Sequence, residues 1–151
     1  MAYIPHPTKV PFEYNQITKY IYLGTNRCCQ THFSKQLLKK GVKADISLEK
    51  ENLDNPAGSG YFLWLPVPDK HAPTQKQLLL GAEAIRSLVN SKIKVYVHCL
   101  RGHGRSPSLV AAYFMLEGMS FTAAVKKIRA KRKIHLTKKQ IAALKRFEKS
   151  R

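Results

Sequence analysis

Apolar and polar positions along the chain follow two periods. Short β-branched or aromatic runs bounded by turn residues read as strands, and apolar residues three or four apart read as helices. Residues 20–23 (Tyr-Ile-Tyr-Leu) form a strand stopped at Gly24, and residues 44–48, 61–65 and 93–97 form three more. The last is a β-branched run with the character of a central strand. Pro66 and Pro68 predict that the third stops at Leu65, because proline gives no N–H to a ladder. Residues 33–40 predict a helix with Leu37 and Leu38 inward and Gly41 at its C′ position. Thr74 and Gln77, just after Pro73, form a capping box for a helix with Leu78, Ala82, Ile85 and Val89 on one face. An apolar helix runs from about Ser106 to Glu117 and is ended by Gly118. Phe121, Ala124, Val125 and Ile128 share a face of the next. Thr137 and Gln140 cap the last, which buries Ile141, Leu144 and Phe147. Residues 52–60 are turn-rich, and residues 1–12, with three prolines, are an extended lead-in.

Strands alternating with helices predict an α/β fold, with a central, mostly parallel sheet of about four to five strands flanked by helices. The length fits a single domain over residues 1–151. In such sheets ligands bind beyond the carboxyl ends of strands, which singles out the loop from His98 to Arg105. Tyr61, Phe62 and Trp64 are expected in the core, and Glu49, Glu51 and Asp54 in a solvated stretch.

The chain carries 27 Lys+Arg against 9 Asp+Glu, a net charge of +18. With 44% hydrophobic residues, a disordered basic tail is excluded. No apolar run approaches the roughly 18 residues of a membrane span, and the N-terminus lacks the pattern of a signal peptide. Cys28 and Cys29 are adjacent and Cys99 is left odd, a poor disulfide framework that fits a reducing, cytoplasmic setting. Residues 122–151 hold 12 basic residues and a single acid, Glu148. The plain reading of that region is solvated helix faces; the functional one is a footprint for a polyanion.

The loop reads Val97-His98-Cys99-Leu100-Arg101-Gly102-His103-Gly104-Arg105-Ser106-Pro107. Backbone N–H groups in a tight strand-to-helix turn cradle an anion, and the helix N-terminus adds partial positive charge. Gly102 and Gly104 permit backbone angles that a Cβ resists. Arg105 can hold two phosphate oxygens with its planar fork. A cysteine at the base of such a ring can fall in pKa from about 8.5 to as low as about 3.5, so Cys99 suits in-line attack on phosphorus. The leaving group needs an acid, and Asp69, beside Pro66, Pro68 and Pro73, is the best candidate. No His/Cys cluster has zinc spacing.

On these residues the chain resembles the cysteine-dependent protein tyrosine phosphatases of the small dual-specificity type. His98, Cys99, Gly102, Arg105 and Ser106 match that family's motif, and Asp69, thirty residues before Cys99, stands where its general acid lies. Tyr22-Leu23-Gly24, Lys39-Lys40-Gly41-Val42, Ala111-Ala112-Tyr113-Phe114-Met115 and residues 121–131 extend the likeness along nearly the whole chain. The resemblance implies a phosphocysteine on Cys99, and phosphoryl binding by Arg105 and by the backbone of Leu100, Arg101, Gly102, His103 and Gly104. It also implies that Ser106 assists thiolate departure, that His98 supports the loop from behind, and that no metal or other cofactor takes part.

The implied substrate is phosphotyrosine in proteins, with phosphoserine or phosphothreonine as further targets. Arg101 and His103, at the loop's mouth, raise a second reading, a phosphoinositide or RNA 5′-phosphate. A third, from a different class, is a non-catalytic phospho-ligand or nucleic-acid binder. Intact Cys99, Arg105 and Asp69 speak against that one. A redox switch joining Cys28 or Cys29 to Cys99 is weighed against two small buried residues after Gly24, and the second is favoured.

Overall fold

The β-branched run read as central is flanked on both sides in the computed structural model, which describes residues 10–151. One sheet holds β1 (Tyr14–Gln16), β2 (Ile21–Gly24), β3 (Val42–Glu49), β4 (Tyr61–Val67) and β5 (Lys94–His98), in the order β1-β2-β5-β3-β4. β1 runs antiparallel to β2; every other neighbour is parallel. The helices are α1 (Lys35–Lys39), α2 (Gln75–Asn90), α3 (Arg105–Leu116), α4 (Phe121–Arg129) and α5 (Lys138–Lys149), with a 3-10 turn at Asn26–Cys28. The α/β class and the mostly parallel sheet are as expected. Of the lead-in, residues 1–9 lie outside the described residues.

Period-2 alternation sorts the strands between two cores. Ala44, Ile46, Leu48, Val95 and Val97 face a large core roofed by α2, α3, α4 and α5. The opposite face carries a smaller core of Tyr22, Cys28, Cys29, Phe33, Leu37, Val42 and Tyr96. On that face β3 also presents Asp45, Ser47 and Glu49, all buried. Helix α3 is buried through almost its whole length, so it crosses the large core like a spindle. Full burial of a side chain such as Leu109 contributes about 1.5–3 kcal/mol. Both capping boxes form, at Thr74–Gln77 and Thr137–Gln140.

Two expectations need correction, and one strand was not foreseen. β4 continues through Pro66 to Val67, because it is an edge strand and the missing N–H sits where no ladder bond is required. Tyr61, Phe62 and Trp64 are 52%, 40% and 37% exposed on that edge rather than in the core, although the Trp64 indole donates to the Glu49 carbonyl at 2.7 Å. β1 had no periodic signal; three largely polar residues become a strand only by pairing with β2.

Candidate active site

β5 delivers His98 and α3 begins at Arg105, so the intervening loop turns between the centre of the sheet and a buried helix. Gly102 has φ +71°, and a Cβ there would come within 2.5 Å of the Gly24 carbonyl oxygen. The loop therefore packs directly on the end of β2. Its carbonyls are held from outside by Arg132, whose Nε donates to Gly102 O at 3.0 Å and whose Nη2 donates to Arg101 O at 2.8 Å. With those carbonyls turned outward, N–H groups are left to face the interior of the turn. The Gly102 N–H points at Cys99 Sγ, 3.3 Å away. Arg132 belonged to the C-terminal basic cluster in the sequence reading; unlike its neighbours Lys131 and Lys133, it is buried and structural.

Cys99 Sγ also lies 3.2 Å from Ser106 Oγ. Burial alone would raise the thiol's pKa, but the Arg105 charge and hydrogen bonds from Ser106 and Gly102 outweigh it and hold it below the usual value. Arg105 is itself fixed by a carboxylate that sequence reasoning passed over. Glu51 accepts from Nη1 at 2.8 Å and from Nη2 at 2.9 Å, while Val67 O accepts from Nη1 at 2.8 Å. The stretch holding Glu49, Glu51 and Asp54 is thus not simply solvated: Glu49 is fully buried and the Asp54 side chain is 2% exposed. The one available clue was indirect. A buried guanidinium needs an opposite charge, and no spacing in the chain says which acid supplies it.

Asp69 follows β4 with its side chain 62% exposed and its Oδ1 3.5 Å from Arg105 Nη2. The Lys70 N–H donates to that same oxygen at 2.9 Å. This short loop is tied to the start of α5, where Gln140 donates to His71 O at 3.0 Å and Thr137 Oγ1 to Lys70 O at 3.3 Å. Asp69, Cys99 and Arg105 open onto one cavity of about 440 Å³. Arg101, His103, His135 and Lys70 form its rim. Burial and the charge of Arg132 push the His103 pKa down. His71 instead donates through Nδ1 to the Asp69 carbonyl.

Behind the loop stands His98, fully buried and stacked on Tyr96 at 5.5 Å. A carbonyl only accepts, so Nδ1–H is the donor to Cys99 O at 3.3 Å. Nε2 faces Asp45 Oδ1 at 3.3 Å and Asp54 Oδ2 at 3.0 Å. Burial would strip the ring of its proton; the two carboxylates oppose this and lift its pKa well above the ordinary value. Burial pushes Glu49 up to about 7, against the pull of His98 and Asn26. Cys28 and Cys29, which their adjacency made poor candidates for a bond, are joined as a disulfide in the small core, whereas Cys99 is free and belongs to the large one.

The model of the dual specificity phosphatase catalytic domain matches residues 21–150. Protein tyrosine phosphatase type IVA 3 of Homo sapiens is 28% identical over 97% of this chain and 88% of its own length. The crystal structure of human DUSP28 superposes with a TM-score of 0.81, at 20% identity over 90% of this chain and 96% of that one. PTPMT1 superposes with a TM-score of 0.75, at 28% identity over 91% of this chain and 95% of that one. Cys99 and Arg105, with five residues between them in the turn from β5 to α3, supply the signature of these phosphatases. The chain belongs to the dual specificity phosphatase family of the cysteine-dependent protein tyrosine phosphatase superfamily.

Proposed function

We propose that this chain is a single catalytic domain hydrolysing phosphate monoesters of protein side chains, phosphotyrosine first, through a phosphocysteine. The observation that carries the reading is the convergence on one cavity of a thiol whose pKa is lowered, a braced guanidinium and a carboxyl group. Cys99 Sγ attacks phosphorus in line, the S–P bond forms and the P–O bond to the leaving group breaks. Asp69 gives its proton to the departing oxygen. Arg105 and the inward N–H groups of residues 100–105 hold the equatorial oxygens and stabilise their charge in the transition state. Asp69, now a carboxylate, takes a proton from water as the water oxygen attacks phosphorus. The thiolate leaves, aided by a hydrogen bond from Ser106. His98, behind the loop, holds the Cys99 carbonyl and so sets the direction of Sγ. The mechanism needs Cys99 reduced, which supports a cytoplasmic setting.

A second reading is favoured by one observation, the basic rim of Arg101 and Lys70. It suits a substrate with more than one phosphate, such as a phosphoinositide or an RNA 5′-triphosphate. The test is hydrolysis of a small aryl phosphate, then of phosphopeptides, phosphoinositides and RNA triphosphate at matched ionic strength. Cys99→Ser should lower kcat by at least about 10⁴-fold and Arg105→Ala by about 10²–10³-fold. Aryl phosphatase activity that survives Cys99→Ser would sink the phosphocysteine, and turnover confined to phosphoinositides would reverse the order of substrates.

A further inference from the structure

Cys28, Cys29, Asp45 and His98 come from three parts of the chain: the 3-10 turn and the residue after it, the middle of β3, and the end of β5. All four are buried, and their donor atoms lie within 4.8 Å of one another. Cys28 Sγ is 3.9 Å from Asp45 Oδ1, and Cys29 Sγ is 3.8 Å from Asp45 Oδ2. Cys29 Sγ is 3.5 Å from His98 Nε2, which is 3.3 Å from Asp45 Oδ1. A tetrahedral zinc ion, with bonds of about 2.3 Å to sulfur and about 2.0–2.1 Å to nitrogen or oxygen, holds its donors about 3.3–3.8 Å apart. With Asp45 Oδ1 as the ligand, three edges therefore already match that polyhedron to within a tenth of its size or little more, while the approach of Cys29 is to the other oxygen of the same carboxylate. The sulfur–sulfur edge is the exception, because Cys28 and Cys29 are joined as a disulfide; a small-molecule thiol reductant must first convert that bond to two thiols, after which the sulfurs can separate.

The hydrogen bonding points the same way. His98 commits Nδ1–H to the Cys99 carbonyl, so a neutral ring would aim the Nε2 lone pair at two carboxylates. That nitrogen must hold either a proton or a cation. The fixed Nδ1–H is also the outer contact by which proteins orient a metal-bound imidazole. Once the Cys28–Cys29 disulfide is reduced, two thiols, an imidazole nitrogen and a carboxylate oxygen form a donor set suited to zinc and poorly suited to magnesium or calcium.

We propose that Cys28 Sγ, Cys29 Sγ, His98 Nε2 and one oxygen of Asp45 bind a zinc ion that locks the rear of the phosphate-binding loop. Binding forms two Zn–S bonds, one Zn–N bond and one Zn–O bond. A small-molecule thiol first supplies two electrons and two protons to the Cys28–Cys29 disulfide and is itself oxidised to a disulfide. On metal binding the two thiol protons and the proton on Nε2 leave to solvent, so the site fills more readily as pH rises. The ion is structural and sits on the opposite face of the sheet from the core that contains Cys99. It ties the end of β2, the middle of β3 and the end of β5 to one point. The spacing argument from sequence missed the cluster because only Cys28 and Cys29 are close in the chain.

The test uses the full chain, stripped with a chelator under reductant and titrated with Co(II). The expected result is about one equivalent bound per chain, with the visible absorption of tetrahedral cobalt, a thiolate-to-cobalt charge-transfer band, and displacement of both by Zn(II). Cys99→Ser should keep the spectrum, and Cys28→Ser/Cys29→Ser should lose the charge-transfer band. Should the double variant fail to fold, the wild-type chain and Cys99→Ser still decide the matter, because Zn(II) should raise the melting temperature of both. The proposal is overturned by a wild-type chain without the band. It is equally overturned by a band lost in Cys99→Ser, which would place the ion on the nucleophile, or by Cys28 and Cys29 found joined to each other under reductant. None of these readouts depends on phosphatase activity.

Discussion

In front of the phosphate-binding loop Asp69 is largely exposed, and Arg101 and His103 stand at an open rim. Behind the same loop His98, Asp45, Glu49 and the Asp54 side chain are almost wholly closed off from solvent. Charges at the front are screened by water, can be displaced by a substrate and contribute little to folding. Charges at the rear are held by one another in a low-dielectric space, where removing one partner strands the next. The loop is thus a partition: chemistry and selectivity sit on its open face, and the rigidity that chemistry needs is supplied from its closed face. Substitutions on the two faces should divide between effects on rate and effects on stability.

The largest effect is expected at the rear. Asp45→Ala leaves His98 with one of its two carboxylates and should destabilise the fold by about 3–5 kcal/mol, read from urea unfolding. At the front, Asp69→Asn should leave the unfolding midpoint nearly unchanged and lower kcat by at least about 10²-fold. The deficit should widen as the leaving group becomes more basic, since a good leaving group needs no proton. Equal loss across a series of aryl phosphates would remove Asp69 from the acid role. If Asp45→Ala were as stable as wild type, the contrast between the faces would collapse.

Arg132→Met probes the seam between them. The guanidinium spans the carbonyls of Arg101 and Gly102 and reaches Asn15 Oδ1 at 3.0 Å. Its loss should cost about 1–3 kcal/mol of stability and also lower kcat, because freed carbonyls can rotate toward the phosphate. A variant that lost stability but kept its full kcat would show that other contacts hold the carbonyls outward.

What could be read from the sequence followed the same division. Cys99, Gly102, Arg105 and Ser106 lie within eight consecutive residues, and their chemistry depends on a local turn that a run of β-branched residues and an apolar helix announce. Asp69 was legible because prolines fix its loop. Glu51 and Arg132 were not, since each meets the loop across a long stretch of chain and each looks, in sequence, like any other charged surface residue. Asp45 sits in a strand whose alternate residues are apolar, so it reads as solvent-facing unless a second core is known to cover that face. Pro66 misled for a related reason: whether proline ends a strand depends on whether that side of the strand has a neighbour. Each of these misses is decided by tertiary environment rather than by local pattern.

The smallest effect, and the one that sharpens the open face, is expected of Arg101→Ala. Arg101 is exposed at the rim, and nothing in the hydrolytic steps requires its side chain. Its backbone carbonyl, which Arg132 holds, is unchanged by the substitution. An exposed ion pair is worth about 0.2–1 kcal/mol, so kcat/KM for a singly phosphorylated peptide should fall by less than about fivefold. A substrate with a second phosphate near the first would place that charge against Arg101 and lose more, with the difference shrinking as salt screens it. Lys126→Ala, on the solvent face of α4, is the matched control, because it removes the same charge from the same strongly basic chain at a site outside the cavity lining. If both variants lower turnover of the doubly phosphorylated substrate equally, the attraction comes from the net charge of the whole chain. If Arg101→Ala alone does so, the rim itself reads the second phosphate.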